Sequence, residues 1–243
     1  MTETQQQSDA LAESLVAQVQ AMREAERRLF GALDPDVRDA SLRPGDWSPK
    51  DHQAHLTAWK ARQAERIRTT RMGEPFPSDD RETDEINAEL QKLRADWAWD
   101  AIVTEADAVS QKLEDEIAAA GGQMLRDSDR LVGGIFGNGP FHAAIHFGWL
   151  LEAGIGVDAE AVWDFLDEEE RQLASTDVPN ADRGSGIYNL ACAQAIVGRL
   201  DRARELLPSA FRLRPDLAEF AKDDPDLVRL RDELEELAAV AAS

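Results

Sequence analysis

The sequence predicts an all-α protein. β-branched and aromatic residues never alternate with polar residues over the length of a strand, so the signal of a half-buried strand is missing. Apolar residues instead recur at helical spacings, which places them on one face of a helix. Ser8 or Asp9 is a candidate N-cap for the first helix, and Pro35 follows its end. Its apolar stripe consists of Leu11, Leu15, Val19, Met22, Leu29 and Leu33.

The second helix is predicted to begin after Ser48. Ser48 is a good N-cap, Pro49 suits the first turn, and Asp51 follows the cap at the spacing of a capping box. The helix is expected to run to about Arg71, because Gly73 and the prolines after it break a helix.

Two more long helices complete a bundle. A short polar helix is predicted over 82–93, and a third long helix is expected to end at Gly121 and Gly122. The glycine-rich stretch from there to 139 is predicted to be a loop, and the fourth long helix to run from 140 to about 154. Four long helices in about 155 residues are typical of a four-helix bundle. The apolar face of the third helix carries Ile102, Ala106, Val109, Leu113 and Ile117.

A smaller helical unit is predicted over 157–243, after a glycine break that ends the bundle unit of 1–156. Asp158 is expected to cap a helix that turns its acidic run, 167–170, to solvent. A loop is predicted from Asp177 to Gly186. The helices expected after it cover about 187–197, 201–213 and 226–240.

Charge and composition exclude several functions. The chain has 48 acidic and 27 basic residues and a net charge of −21, which argues against nucleic-acid binding. No apolar stretch is long enough for a transmembrane helix, and the polar N-terminus does not look like a signal peptide, so the expected location is the cytoplasm. The one cysteine, Cys192, excludes an intramolecular disulfide and a Cys-rich zinc ribbon, and a buried structural thiol is expected.

The four histidines form two pairs. His52 and His55 are three residues apart on the second helix, and His142 and His146 are four apart on the fourth, so each pair shares a helix face. Imidazoles in this pattern can bind one metal ion and leave positions open for catalysis. The second pair lacks the glutamate of an HExxH protease motif. The alternative is that these histidines are ordinary core or surface residues hydrogen-bonded to neighbours.

The stretch Trp47–Leu56, WSPKDHQAHL, resembles a motif of the DinB-like superfamily. Relatives include mycothiol-dependent maleylpyruvate isomerases, bacillithiol transferases and ClbS/DfsB proteins. The resemblance covers about residues 8–156 and implies a divalent ion on His55, His142 and His146, with zinc expected and nickel or iron as alternatives. It also implies that Trp47 plugs the bundle end. His52 stands where relatives usually have an apolar residue, and is expected to support the site or lie at the surface; a fourth ligand is the alternative.

The second unit resembles a tetratricopeptide repeat. One repeat is clear, and it needs neighbouring helices to cover its apolar face. Pro208, in the middle of its second helix, departs from a regular repeat. The residues that carry the resemblance are Tyr188, Asn189, Leu190, Ala191, Gly198, Leu200, Ala203, Ala210 and Pro215. The predicted fold is therefore a four-helix bundle followed by a small TPR-like unit.

The resemblance implies a metal-dependent thiol S-transferase or hydrolase that acts on a small electrophile. Its partners would be a small-molecule substrate or a low-molecular-weight thiol, and the helical units could mediate docking of a protein or dimerisation. One alternative is a non-catalytic binding or stress-response protein that docks a partner through the TPR-like unit. Another is a ClbS-like hydrolase that detoxifies its substrate without a metal.

Overall fold

The structure is a computed structural model that describes residues 3–41, 47–76, 81–128 and 130–242. Every regular element in this part of the chain is helical, which confirms the all-α prediction. No helix among the described residues is both long enough and apolar enough to cross a membrane. The helices are α1 (Glu3–Gly31), α2 (Pro35–Arg38), α3 (Pro49–Met72), α4 (Thr83–Arg94), α5 (Trp99–Asp127), α6 (Leu131–Asn138), α7 (Pro140–Glu152), α8 (Ala159–Ser175), α9 (Asn180–Ile196), α10 (Leu200–Leu213), α11 (Asp216–Phe220), a 3₁₀ helix (Pro225–Glu233) and α12 (Leu234–Ala242).

Helices α1, α3, α5 and α7 form the bundle. Helix α5 packs along both α1 and α3, and α7 contacts the same two helices. The predicted stripe of α1 faces inward, where Leu15, Val19 and Met22 have no exposed surface. Burial of such side chains stabilises the fold by about 1.5–3 kcal/mol each.

Aromatic contacts continue from the bundle into α8. The ring of Phe147 on α7 lies 6.0 Å from Phe30 on α1 and 5.3 Å from Phe165 on α8. Helix α7 also packs against α9. The helix that carries two of the histidines is therefore held from both sides, by the bundle and by the C-terminal helices.

Helix α3 begins and ends close to the residues that the sequence predicts. The Ser48 hydroxyl accepts a hydrogen bond from the backbone N–H of Asp51 at 3.2 Å, and the Asp51 carboxylate accepts one from the backbone N–H of Ser48 at 2.9 Å. Gly73 ends the helix in the left-handed conformation, at φ +68°. This confirms the predicted capping box, which fixes where the first turn of α3 begins and so where His52 and His55 lie.

The glycine-rich stretch before 139 is not a loop but contains helix α6. Its glycines allow close packing: a Cβ on Gly134 would lie 2.5 Å from Oε1 of Gln63 on α3. The backbone leaves the helical conformation at Gly121, with φ +70° and ψ 156°, so α5 consists of two helical segments and the first ends where the sequence predicts. The second segment continues to Asp127.

Other boundaries differ from the predictions. Helix α1 begins at Glu3 and runs through both candidate caps, and the last predicted helix divides into the 3₁₀ helix and α12. Helix α9 begins at Asn180, within the predicted loop. Gly186, which the sequence pattern assigned to that loop, is a packing position inside the helix, since a Cβ there would lie 2.7 Å from the ring of Phe141. Asp158 caps α8 as expected, but Glu169 in the acidic run is completely buried.

Candidate metal centre

The four histidines converge at one point between α3 and α7. The Nε2 atom of His142 lies 3.1 Å from Nε2 of His55 and 3.1 Å from Nε2 of His146. His52 also joins the cluster, through its contact with His146. The two helices that carry the predicted pairs are therefore neighbours in space. The structure brings all four sequence-predicted histidines together.

The three Nε2 atoms have the spacing of ligands to a single ion. Two nitrogens bound tetrahedrally to zinc at 2.0–2.1 Å lie about 3.4 Å apart. Ligand atoms of His55, His142 and His146 all lie within 4.8 Å of one another. Hydrogen bonds alone satisfy this cluster poorly, because the single Nε2 of His142 faces two other Nε2 atoms. A shared cation would use all three lone pairs, so the residues fit a metal ion.

The three imidazoles are held in the neutral form that binds metals. Burial is the largest cause that lowers the pKa of His55, to about 3, and repulsion from His142 and His52 adds to it. Burial lowers the pKa of His142 to about 4, with a contribution from the charge of Lys60. Burial also holds the pKa of His146 well below its usual range. No proton has to leave these rings before a cation binds near neutral pH.

His52 supports His146 and lies outside the three-ligand group. Its Nδ1 atom lies 2.7 Å from Nδ1 of His146. When Nε2 of His146 serves as a ligand, its Nδ1 carries the proton and donates to Nδ1 of His52. The Nδ1 atoms of His55 and His142 are also buried, but have no hydrogen-bond partner among the described residues. His52 would therefore fix the tautomer of His146 if that ring binds an ion, and its supporting role stays a prediction.

Replacing His52 by leucine is expected to weaken metal binding by about 10–100-fold, because the hydrogen bond that orients His146 is lost. The number of ions bound at saturation should stay the same. Competition with a chromophoric chelator measures the affinity. The matched variant His52→Gln keeps a hydrogen-bond acceptor near the same place and should recover part of the loss. An affinity that does not change in His52→Leu would show that His52 has no positioning role.

Three tryptophans surround the histidines. The ring of Trp47 lies 4.6 Å from that of His55, and the ring of Trp149 lies 4.8 Å from that of His146. The ring of Trp59 lies 6.2 Å from that of His55. The apolar rings lower the polarity around the imidazoles, which strengthens electrostatic interactions inside the site. Trp59 follows His55 by four residues and Trp149 follows His146 by three, a helical spacing that could have indicated them from the sequence.

The C-terminal helices reach the site through Trp149. The indole N–H of Trp149 donates a hydrogen bond of 3.2 Å to the carboxylate of Asp226, at the start of the 3₁₀ helix. Burial and the neighbouring Asp224 raise the pKa of Asp226. Nothing in the sequence indicated this contact, because it joins residues that are 77 positions apart.

A buried ion pair joins Lys60 on α3 to Glu26 on α1. Nζ of Lys60 donates to both carboxylate oxygens of Glu26, at 2.7 and 2.5 Å, and to the hydroxyl of Ser110 at 3.0 Å. This pair links α3 to α1 and α5 and was missed from the sequence. Cys192, by contrast, lies away from the histidines on α9, and burial raises the pKa of its thiol well above the usual range.

A helical bundle that gathers three neutral imidazoles at one point defines a candidate metal-binding protein. A family model described as the DinB superfamily matches residues 18–151. The match covers more than half of the chain, and the protein belongs to this superfamily. Superfamily members generally bind metal ions. Neither the curated proteins nor the solved structures give a significant match. The C-terminal helices lie outside the family match, so the tetratricopeptide resemblance stays a prediction.

Proposed function

We propose that His55, His142 and His146 bind one divalent ion and that the protein is a metal-dependent enzyme. The observation that supports this most strongly is the convergence of the three Nε2 atoms, at 3.1 Å from one to the next. Imidazole ligands suit zinc, nickel and iron, and zinc accepts three protein ligands with one open position. Zinc is therefore the proposed ion, with nickel or iron as alternatives.

The proposed reaction is transfer of a thiol to a small electrophile, or hydrolysis of that electrophile. A bound divalent ion lowers the pKa of a water or thiol and so supplies a nucleophile near neutral pH. The chain contributes His52, which would orient one ligand, and Trp47 and Trp149, whose rings pack against the imidazoles. Cys192 is buried elsewhere and cannot be the nucleophile. A low-molecular-weight thiol or water therefore has to enter from outside.

Protein purified without a histidine tag is expected to contain close to one metal ion per chain. Each of the variants His55→Ala, His142→Ala and His146→Ala should lose nearly all of it, because two imidazoles hold an ion much less tightly than three. Elemental analysis after gel filtration measures the content. The matched control, His52→Ala, should still bind one ion at saturating metal. Full metal content in His142→Ala would overturn the proposed ligand set.

The reaction itself is tested with the metal-loaded protein. Glutathione and a chromogenic aryl halide report thiol transfer, and an activated ester reports hydrolysis. Activity should disappear in His142→Ala and persist in Cys192→Ala. A metal-loaded protein that catalyses neither reaction would contradict the enzymatic proposal, while leaving the metal site intact.

A further inference from the structure

Trp149 is a partly exposed side chain that packs against the histidine cluster. Its indole ring lies 4.8 Å from the imidazole of His146 and 6.3 Å from that of His52, the two rings that share the Nδ1 contact. Trp149 and His146 meet edge to face, at an interplanar angle of 61°. Trp149 is 38% exposed, whereas His146 is 1% exposed. Because a ring at the surface of a helix has other rotamers open to it, its place beside His146 requires a further contact.

The carboxylate of Asp226 supplies that contact. It accepts a hydrogen bond of 3.2 Å from the indole N–H of Trp149. The indole nitrogen is a donor only, and a bond to a charged acceptor is stronger than one to a neutral acceptor. The indole of Trp149 is therefore held at two points, by the imidazole of His146 and by Asp226.

The backbone of Asp226 is itself anchored to α9. Asp224 caps the 3₁₀ helix, and one of its carboxylate oxygens accepts a hydrogen bond from the backbone N–H of Asp226 at 2.9 Å. The other oxygen accepts one from the hydroxyl of Tyr188 at 2.6 Å. Tyr188 and Asp224 are both buried, and Tyr188 lies on α9. The acceptor of the indole hydrogen bond thus has a fixed position relative to α9.

Helix α9 also holds the helix that carries the donor. Gly148, the residue before Trp149, lies so close to α9 that a Cβ on it would be 3.0 Å from the side chain of Ile196. The contacts form a closed path, from α7 to α9, on to the 3₁₀ helix, and back to α7 through Asp226 and Trp149. The C-terminal helices thereby reach a ring that packs against a proposed metal ligand.

We infer that Asp226 is a positioning residue of the metal centre, which acts through Trp149 to hold the imidazole of His146 in place. This inference rests on the proposed function, because His146 is a proposed ligand. An imidazole binds an ion well when its orientation is fixed, and the groups that fix it belong to the working site. Asp226 lies outside residues 18–151, the segment that matches the superfamily. Metal binding by this chain therefore depends on its C-terminal helices.

The zinc affinity of the full chain, measured by competition with a chromophoric chelator, tests this role. Asp226→Ala should weaken zinc binding about three- to tenfold, the size of an edge-to-face ring contact, with the same number of ions bound at saturation. Asp226→Asn keeps an acceptor for the indole N–H and should bind zinc like the wild type, although it removes the charge. Asp223→Ala, the matched control, removes an exposed acid three positions earlier and should have no effect.

A second variant separates positioning from a general structural role. Trp149→Phe removes the indole N–H and keeps an aromatic ring. In that background Asp226→Ala should not weaken zinc binding further, because the carboxylate has no donor left to hold. The same variant identifies the indole N–H signal of Trp149 in the proton spectrum. That signal should move upfield in Asp226→Ala and stay in place in Asp226→Asn.

Unchanged zinc affinity in Asp226→Ala would overturn the inference. Equal losses in Asp226→Ala and Asp226→Asn would do the same, since the charge and not the hydrogen bond would then matter. A further loss in the Trp149→Phe background would show that Asp226 acts by another route.

If the wild type binds no divalent ion, the proposed function fails instead, and the metal-free protein decides the role of Asp226. The ring proton between Nδ1 of His52 and Nδ1 of His146 should then be visible by nitrogen-15 NMR in the wild type and in Asp226→Asn. It should be lost to exchange with solvent in Asp226→Ala. The same result in all three proteins refutes the positioning role.

Discussion

Replacing Lys60 by methionine is expected to lower the free energy of unfolding by about 3–5 kcal/mol, because it leaves a buried carboxylate without its partner. Lys60 and Glu26 are almost completely buried, and the ammonium makes three hydrogen bonds, two to Glu26 and one to Ser110. Water cannot replace these contacts without opening the packing of α1, α3 and α5.

Chemical denaturation of the metal-free protein measures this loss. The control is the double variant Lys60→Met with Glu26→Leu, in which no charge remains buried. It should recover most of the stability, because apolar replacements of a buried pair are often neutral or stabilising. A loss below about 1 kcal/mol in the single variant is the size expected of an exposed pair, and would show that the pair is hydrated in solution.

Replacing Glu169 by leucine should have the opposite effect and raise the free energy of unfolding near neutral pH by about 1–3 kcal/mol. Glu169 has no exposed surface, and neither carboxylate oxygen has a hydrogen-bond partner among the described residues. Burial raises the pKa of this carboxyl well above its usual value, and the neighbouring Glu168 adds to the effect. Leucine has a similar volume and no polar group that loses its hydration on burial.

The gain from Glu169→Leu should depend on pH. At acid pH the carboxyl is protonated in both the folded and the unfolded chain, so it adds no pH dependence. As the pH rises past the ordinary glutamate pKa of about 4.3, only the unfolded chain releases the proton, which favours unfolding. The wild type should therefore lose stability relative to the variant as the pH increases from 4 to 7.

Urea titrations of the two proteins at several pH values give the difference. Asp164→Leu is the matched control, since it removes an acidic residue from the exposed face of the same helix, and it should change stability by less than about 0.5 kcal/mol. A difference between the wild type and Glu169→Leu that stays constant from pH 4 to 7 would show that Glu169 ionises normally in the folded protein.

The helices were predictable where local chemistry decides them. Ser48 and Asp51 form a capping box from residues three apart, and the apolar stripe of α1 depends only on helical spacing. Helix α6 was missed because its glycines were interpreted as a loop signal. Gly134 is required by the approach of Gln63, which is distant in sequence, so no local pattern distinguishes a packing glycine from a flexible one.

The histidine cluster was predictable because its two pairs repeat the helical spacing and resemble a family motif. The contact of His52 with His146 required knowledge of how α3 faces α7. The same holds for the buried charges. Lys60 looks like any surface lysine in the sequence, and Glu169 lies within an acidic run that favours solvent exposure. Whether a charged side chain is buried depends on tertiary packing, and the residues next to it in the sequence do not indicate it.

The three tryptophans around the histidines also give the protein an optical property. Trp47, Trp59 and Trp149 are half of its six tryptophans, and their rings lie 4.6 to 6.2 Å from the imidazole of His55 or His146. An open-shell ion such as cobalt or nickel at this range quenches indole emission, whereas zinc does not. The intrinsic fluorescence of the chain therefore reports which kind of ion occupies the centre, without a label or an added chromophore.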